Sequence, residues 1–72
     1  MEDLRQEIGA RLRECRKSKN LTQAQVAQKL NIPQQQYMRY ENGHFAPSYE
    51  NLIALCKLYE VTSDFVLGIS PY

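Results

Sequence analysis

Residues that start and stop helices recur at short intervals along the chain, and they constrain its fold more than any other feature. Asparagine, proline and glycine, with Thr62 and Ser63 near the C-terminus, divide the 72 residues into five short segments. No segment alternates apolar and polar residues as a strand does, and the longer segments repeat apolar residues every three or four positions. The sequence therefore predicts one all-α domain over residues 1–72, with five short helices near 4–19, 22–30, 33–41, 48–59 and 62–67.

Capping residues stand where two of these helices need them. Thr22, followed by Gln25 three residues later, is the capping-box pattern. Pro33 suits the first turn of a helix, because its missing N–H has no partner to lose there. Asn42 and Gly43 form a natural left-handed stop. These residues delimit the second and third helices.

The longer segments each have an apolar face that we expect to be buried. In the first segment the stripe is Leu4, Ile8, Leu12 and Cys15. In the second it is Val26, Ala27 and Leu30. In the fourth a wider face consists of Tyr49, Leu52, Ile53, Leu55, Cys56 and Tyr59.

The small net charge of +1 conceals an uneven distribution. Residues 1–40 hold eight lysines and arginines against four acids, a net charge of +4. Residues 41–72 hold one lysine against four acids, a net charge of −3. A basic half joined to an acidic half indicates a side that faces a polyanion, although charges scattered over a solvated surface explain the count equally well.

Several functional classes are disfavoured by what the chain lacks. The longest apolar run, Leu52–Cys56, cannot span a membrane, and the acidic start is not a secretory signal. Cys15 and Cys56 lie far apart without a CxxC motif, and there is a single histidine, so we expect no metal. No nucleophile–base set or phosphate loop indicates an enzyme. We therefore expect no cofactor and no small-molecule ligand, and buried thiols in a reducing cytoplasm.

The second and third segments have the spacing of a helix-turn-helix. Only Asn31 and Ile32 separate them. Ala27 is small enough for one helix to cross the other closely, and Ile32 would plug the turn. The motif is therefore predicted at about residues 22–41.

The same residues resemble the phage-repressor/Cro-like (XRE-like) helix-turn-helix family over about residues 7–69. The resemblance is carried by Leu21-Thr22-Gln23, Val26-Ala27, Leu30, Ile32, Tyr37, Arg39 to Gly43, Pro47-Ser48 and Asn51-Leu52. It implies a sequence-specific regulator of transcription, a repressor, that binds double-stranded DNA. It also implies that helix 33–41 lies in the major groove.

Four residues of helix 33–41 are candidates for reading bases: Gln34, Gln35, Arg39 and Met38. A glutamine amide matches adenine, an arginine fork matches guanine, and a methionine could touch a thymine methyl. The competing interpretation is that the glutamines are good helix formers on a wet surface and that Met38 contacts nothing.

A second set is expected at the DNA backbone: Gln23, Gln36, Lys17, Lys19, Asn42, Gly43 and His44. Of these, Gln23 matches the near-constant glutamine of the family, and the loop after Gly43 matches its backbone-contacting loop. His44 and Phe45 depart from the basic residues often found in that loop.

The resemblance also implies a structural role for two residues and marks a departure at a third. Arg16 and Glu41 match a partly buried ion pair that ties the first helix to the third. Tyr37 departs from the usual aliphatic residue, and facing the core its hydroxyl needs a partner.

A single module reads few base pairs, so we expect a homodimer on a palindromic operator. Phe65, Ile69 and Tyr72 are the expected dimer contacts, because the C-terminal segment is more apolar than one short helix needs. The predicted location is the cytoplasm of a bacterial or phage-type system, at the nucleoid. The alternative is a protein-interaction module of the same fold, such as an antitoxin or adaptor.

Overall fold

The computed structural model describes residues 3–71, which form five α-helices and no strand. They are α1 (Leu4–Ser18), α2 (Gln23–Leu30), α3 (Gln34–Glu41), α4 (Tyr49–Tyr59) and α5 (Ser63–Leu67). The radius of gyration is 11.0 Å. The prediction of a compact all-α fold with five helices is confirmed.

Side-chain caps fix most helix starts. Thr22 forms the predicted capping box with Gln25, so both Thr22 and the third residue of α2 satisfy otherwise unpaired amides. Ser48 and Thr62 accept backbone N–H bonds at the starts of α4 and α5. The start of α3 differs by one residue from the prediction: Pro33 has extended backbone angles, stands at the N-cap and provides no side-chain cap.

Left-handed residues end or follow several helices. Gly43 follows α3 with φ +77°, as the sequence suggested. Asn31 and Glu60 also have φ 58°, at the ends of α2 and α4. The glutamate is a less usual residue in this conformation, and the sequence did not mark it as a helix end.

All five helices contribute to one core. α3 packs against both α1 and α2, and α5 packs against α1 and α4. The buried side chains of the core are Ile8, Leu12, Val26, Ala27, Tyr37, Tyr40, Leu55, Tyr59 and Val66. The third helix is therefore held on two sides while its remaining face stays open.

Gly9 allows α1 to approach the end of α3 closely. A Cβ atom at this position would lie 2.5 Å from the carbonyl oxygens of both Tyr40 and Glu41. Any larger residue would push the two helices apart. Gly9 thus sets the position of the C-terminal end of α3.

Three residues predicted to be buried are exposed. Leu4, at the first position of α1, is 66% exposed, because the apolar stripe enters the core only from Ile8 onward. Tyr49 is 74% and Ile53 is 49% exposed. Successive residues of a helix are about 100° apart, so Ile53 lies nearly opposite the buried Leu55. The fourth helix therefore buries a narrower face than predicted.

The described residues contain two free thiols, and both are half-buried rather than buried. Burial raises the pKa of both Cys15 and Cys56. Among residues 3–71, no helix combines the length and apolar character needed to cross a membrane.

Candidate nucleic-acid interface

The open face of α3 presents most of the residues that the sequence predicted to read bases. Gln34, Gln35 and Arg39 are exposed, and Met38 is half-buried. Gln35 and Arg39 are four residues apart and so lie on one side of the helix. The opposite side of α3 is buried. The helix thus separates a polar outer face from an inner face that fixes its position.

The inner face is anchored by a bidentate ion pair between α1 and α3. Arg16 donates from Nε to Glu41 Oε2 at 2.7 Å and from Nη2 to Oε1 at 3.2 Å. Its Nη1 donates to the carbonyl oxygen of Leu21 at 3.0 Å. The Glu41 side chain is only 2% exposed. The two residues that the family resemblance paired are therefore in direct contact.

Three further side chains extend this pair into one hydrogen-bonded cluster. Gln23 Nε2 donates to Glu41 Oε1 at 3.0 Å. The Tyr37 hydroxyl bonds to Glu41 and lies 2.6 Å from the Tyr59 hydroxyl. We call these five residues, contributed by α1, α2, α3 and α4, the α3 network. Tyr37 thus faces the core as expected, and its hydroxyl has two partners.

The α3 network keeps Glu41 ionised and its tyrosines protonated. Burial alone would raise the pKa of Glu41, but hydrogen bonds from Arg16, Tyr37 and Gln23 together lower it below its usual value. Burial raises the pKa of Tyr59 to about 12, and burial with the bond to Glu41 raises that of Tyr37 further. The carboxylate is therefore a permanent acceptor at neutral pH.

A second tie joins α3 to α4. Gln36 Nε2 donates to the Tyr40 hydroxyl at 2.7 Å, and Asn51 Nδ2 donates to the same oxygen at 2.9 Å. Phe45 packs edge-on against the Tyr40 ring, with centroids 5.5 Å apart. The sequence assigned Gln36 to the DNA backbone, and this assignment stays a prediction, because the bond to Tyr40 uses only one of the two amide hydrogens.

The remaining residues assigned to the DNA backbone have different surroundings. Lys17, Asn42 and His44 are exposed, and Gly43 is buried. Lys19 forms an ion pair with Glu60 at 3.1 Å, at the end of α4. The ammonium group of Lys19 therefore lies near the junction of α4 and α5, where the Glu60 carboxylate pairs with its charge.

Comparison with known proteins identifies the family. A helix-turn-helix family model matches residues 12–66, which include all of α2, α3 and α4. The chain belongs to the Cro-like helix-turn-helix family.

Three relatives illustrate the similarity. The uncharacterized HTH-type transcriptional regulator YobD of Bacillus subtilis is 38% identical over 60 residues, which cover 83% of this chain and 54% of YobD. The HTH-type transcriptional regulator ImmR of the same species is 38% identical over 61 residues, covering 85% of this chain and 48% of ImmR. The cryptic phage CTXphi transcriptional repressor RstR of Vibrio cholerae is 38% identical over 61 residues, covering 85% and 54%. The chain therefore spans about half the length of these relatives.

The structure of this helix-turn-helix protein adds a basic residue that the sequence reasoning missed. Arg5, in the first turn of α1, donates from Nη1 to the carbonyl oxygen of His44 at 3.2 Å. The two residues are 39 positions apart, and no motif connects them. Only the packing of α1 against the end of α3 brings Arg5 to this loop.

The C-terminal residues predicted to form a dimer contact have mixed exposure. Phe65 is half-buried, Ile69 is 73% exposed, and Tyr72 lies outside the described residues. Leu67 is 39% exposed. We call Phe65, Leu67 and Ile69 the α5 surface. Phe65 also lines an open cavity of about 590 Å³ with Glu60, Val61, Thr62 and Pro71.

Proposed function

We propose that this protein is a sequence-specific DNA-binding repressor of transcription that places α3 in the major groove. The observation that carries the proposal is the open face of α3, which presents Gln34, Gln35 and Arg39 while the α3 network holds the opposite side. The relatives, which include a transcriptional regulator and a transcriptional repressor, support the same function. Repression requires only that the bound protein occupy a promoter.

The chemistry of the open face suggests which bases are read. Each glutamine amide offers one donor and one acceptor edge, which match adenine N6 and N7. The Arg39 guanidinium matches guanine O6 and N7. Met38, half-buried beside them, would touch a thymine methyl. Adenine and guanine contacts would therefore define each half-site.

Backbone contacts would position α3 in the groove. The residues that we propose for these contacts are Gln23, Gln36, Lys17, Lys19, Asn42, His44 and the backbone at Gly43. Gln23 uses one amide hydrogen on Glu41, which leaves a second hydrogen for a phosphate. A phosphate held by Gln23 would thus connect directly to the α3 network.

We further propose that the protein acts as a homodimer on a palindromic operator, through the α5 surface. Half-sites would lie about 34 Å apart, one helical turn of DNA. Such a dimer would act where the chromosome is, in the cytoplasm at the nucleoid.

Selection from a pool of random duplexes tests the proposal. We expect the recovered sequences to share a two-fold symmetric motif, with adenine and guanine at the positions facing α3. Recovery of unrelated sequences, or no retention of any duplex at low salt, would contradict it and would favour a protein-interaction module. A variant carrying Gln34→Ala, Gln35→Ala and Arg39→Ala is the control, because it removes exposed side chains and leaves the core intact.

A further inference from the structure

The loop after α3 lies where a helix-turn-helix protein would meet the DNA backbone, yet it contains no lysine or arginine. Residues 42–48 include only one basic side chain, that of His44. The backbone of DNA is densely charged, and basic side chains supply most of the affinity for it. A loop of this composition needs its positive charge from elsewhere in the fold.

The first turn of α1 lies directly against this loop. A Cβ atom on Gly43 would lie 2.6 Å from Gln6 Cγ and 2.8 Å from Gln6 Cα. One residue earlier, Arg5 bonds to the carbonyl oxygen of His44. The first turn of α1 therefore lies close to the loop, and the bond to His44 positions the Arg5 guanidinium at the edge of the loop.

Arg5 retains the capacity to bind an anion. Its guanidinium has five N–H donors. One bonds to His44, and two bond to Asp3, from Nε at 3.3 Å and from Nη2 at 3.4 Å. Two donors therefore have no partner within residues 3–71, and 54% of the side chain is exposed. We propose that Arg5 binds a DNA phosphate beside the loop after α3 and supplies the charge that this loop lacks; the inference rests on the proposed function.

Replacing Asp3 should have the opposite effect on DNA binding from replacing Arg5. Its Oδ1 atom caps α1 by accepting from the Arg5 backbone N–H at 3.0 Å, and its carboxylate also accepts from the guanidinium. A phosphate approaching Arg5 would meet this negative charge and be repelled by it. Asparagine caps helices about as well as aspartate, so Asp3→Asn removes the charge and keeps the cap.

The test is the salt dependence of binding to a duplex of random sequence, which reports backbone contacts rather than base reading. Each phosphate contact contributes about 0.9 to the slope of log affinity against log salt. Arg5→Ala should lower that slope by about 0.9 per bound protomer. Its affinity should consequently change roughly 3.5-fold less than that of the wild type when salt rises from 50 to 200 mM.

Two further variants complete the experiment. Asp3→Asn should raise the affinity. Lys57→Ala should leave the slope unchanged, because Lys57 is exposed in the last turn of α4, away from the loop. It is the matched control for the loss of one positive charge.

The outcomes separate this inference from the proposed function. A wild-type protein that binds no duplex at 50 mM salt would overturn both. A wild type that binds, with an Arg5→Ala slope equal to that of Lys57→Ala, would overturn only the Arg5 contact and leave Arg5 as a support for the loop. Circular dichroism checks the folding of each variant. If Arg5→Ala does not fold, Asp3→Asn decides, since an affinity that fails to rise contradicts the proposal.

Discussion

The α3 network and the α5 surface consist of chemically different side chains: the first are polar and hydrogen-bonded, and the second are apolar and partly exposed. The network joins five side chains from four helices through directional hydrogen bonds, and its carboxylate is almost fully buried. The α5 surface consists of apolar side chains that are half-buried or exposed. Directional bonds fix one orientation of the helix that they hold. Apolar contact is non-directional, and exposed apolar area is where a partner gains most from burial.

This contrast suggests that the two regions have different roles. The network holds α3 rigidly from behind, so that its outer face has one presentation. The α5 surface leaves apolar area open on a different helix. Changes in the network should therefore affect folding and the presentation of α3, whereas changes at the exposed Leu67 and Ile69 should affect association more than folding.

The largest effect is expected from breaking the ion pair. Glu41→Ala leaves the Arg16 guanidinium, 13% exposed, without its bidentate acceptor. Removing one partner of a buried pair costs about 3–5 kcal/mol of unfolding free energy. Chemical denaturation would measure it, with Glu50→Ala on the exposed start of α4 as the control. A loss as small as that of the control would mean that the network does not hold the fold together.

A smaller loss is expected from Tyr37→Phe. This change leaves the Tyr59 hydroxyl, whose residue is 3% exposed, without its partner, at a cost of about 1–3 kcal/mol. The double variant Tyr37→Phe with Tyr59→Phe removes both polar groups and should recover part of the loss. Denaturation of the two single variants and the double variant forms the cycle. A double variant that is less stable than the wild type by the sum of the two single losses would show that the two hydroxyls do not interact.

The fold and the outer face of α3 could both be predicted from the sequence, because both follow from local sequence signals. Helical spacing, the Thr22 capping box and Gly43 are local signals, and exposed positions of a helix follow from its buried ones. The family resemblance added the pairing of Arg16 with Glu41, which periodicity alone does not supply.

The missed features depend on contacts between distant segments. Arg5 reaches His44 across 39 positions, and Tyr37 meets Tyr59 across 22. The width of the buried face on α4 was overestimated for a related reason. Tyr49 and Ile53 are apolar, but whether an apolar residue is covered depends on which neighbouring helix lies over it.

Arg39→Ala should change which base pairs the protein prefers without disturbing the hydrogen bonds of the α3 network. Arg39 lies on the open face, and the structure gives its side chain no ion pair within residues 3–71. Loss of a bidentate arginine–guanine contact costs about 1–3 kcal/mol of discrimination at one base pair. Binding of wild type and variant to every single-base change of the selected site would measure it. A uniform loss across all sites would instead assign Arg39 to a phosphate.

The smallest effect on stability, and the sharpest test of the contrast, is expected from Ile69→Ser. Ile69 is 73% exposed, so its replacement removes little buried area from the monomer and should change the unfolding free energy by no more than about 0.5 kcal/mol. Leu4→Ser is the matched control, since Leu4 is 66% exposed at the first position of α1, outside the α5 surface. If the α5 surface joins two copies, analytical ultracentrifugation should show weaker association for Ile69→Ser than for Leu4→Ser, and cooperative binding to a palindromic site should fall with it. Equal association of the two variants would remove Ile69 from the dimer contact. A wild type that stays monomeric at high concentration and on DNA would leave the α5 surface without the role that its exposure suggests.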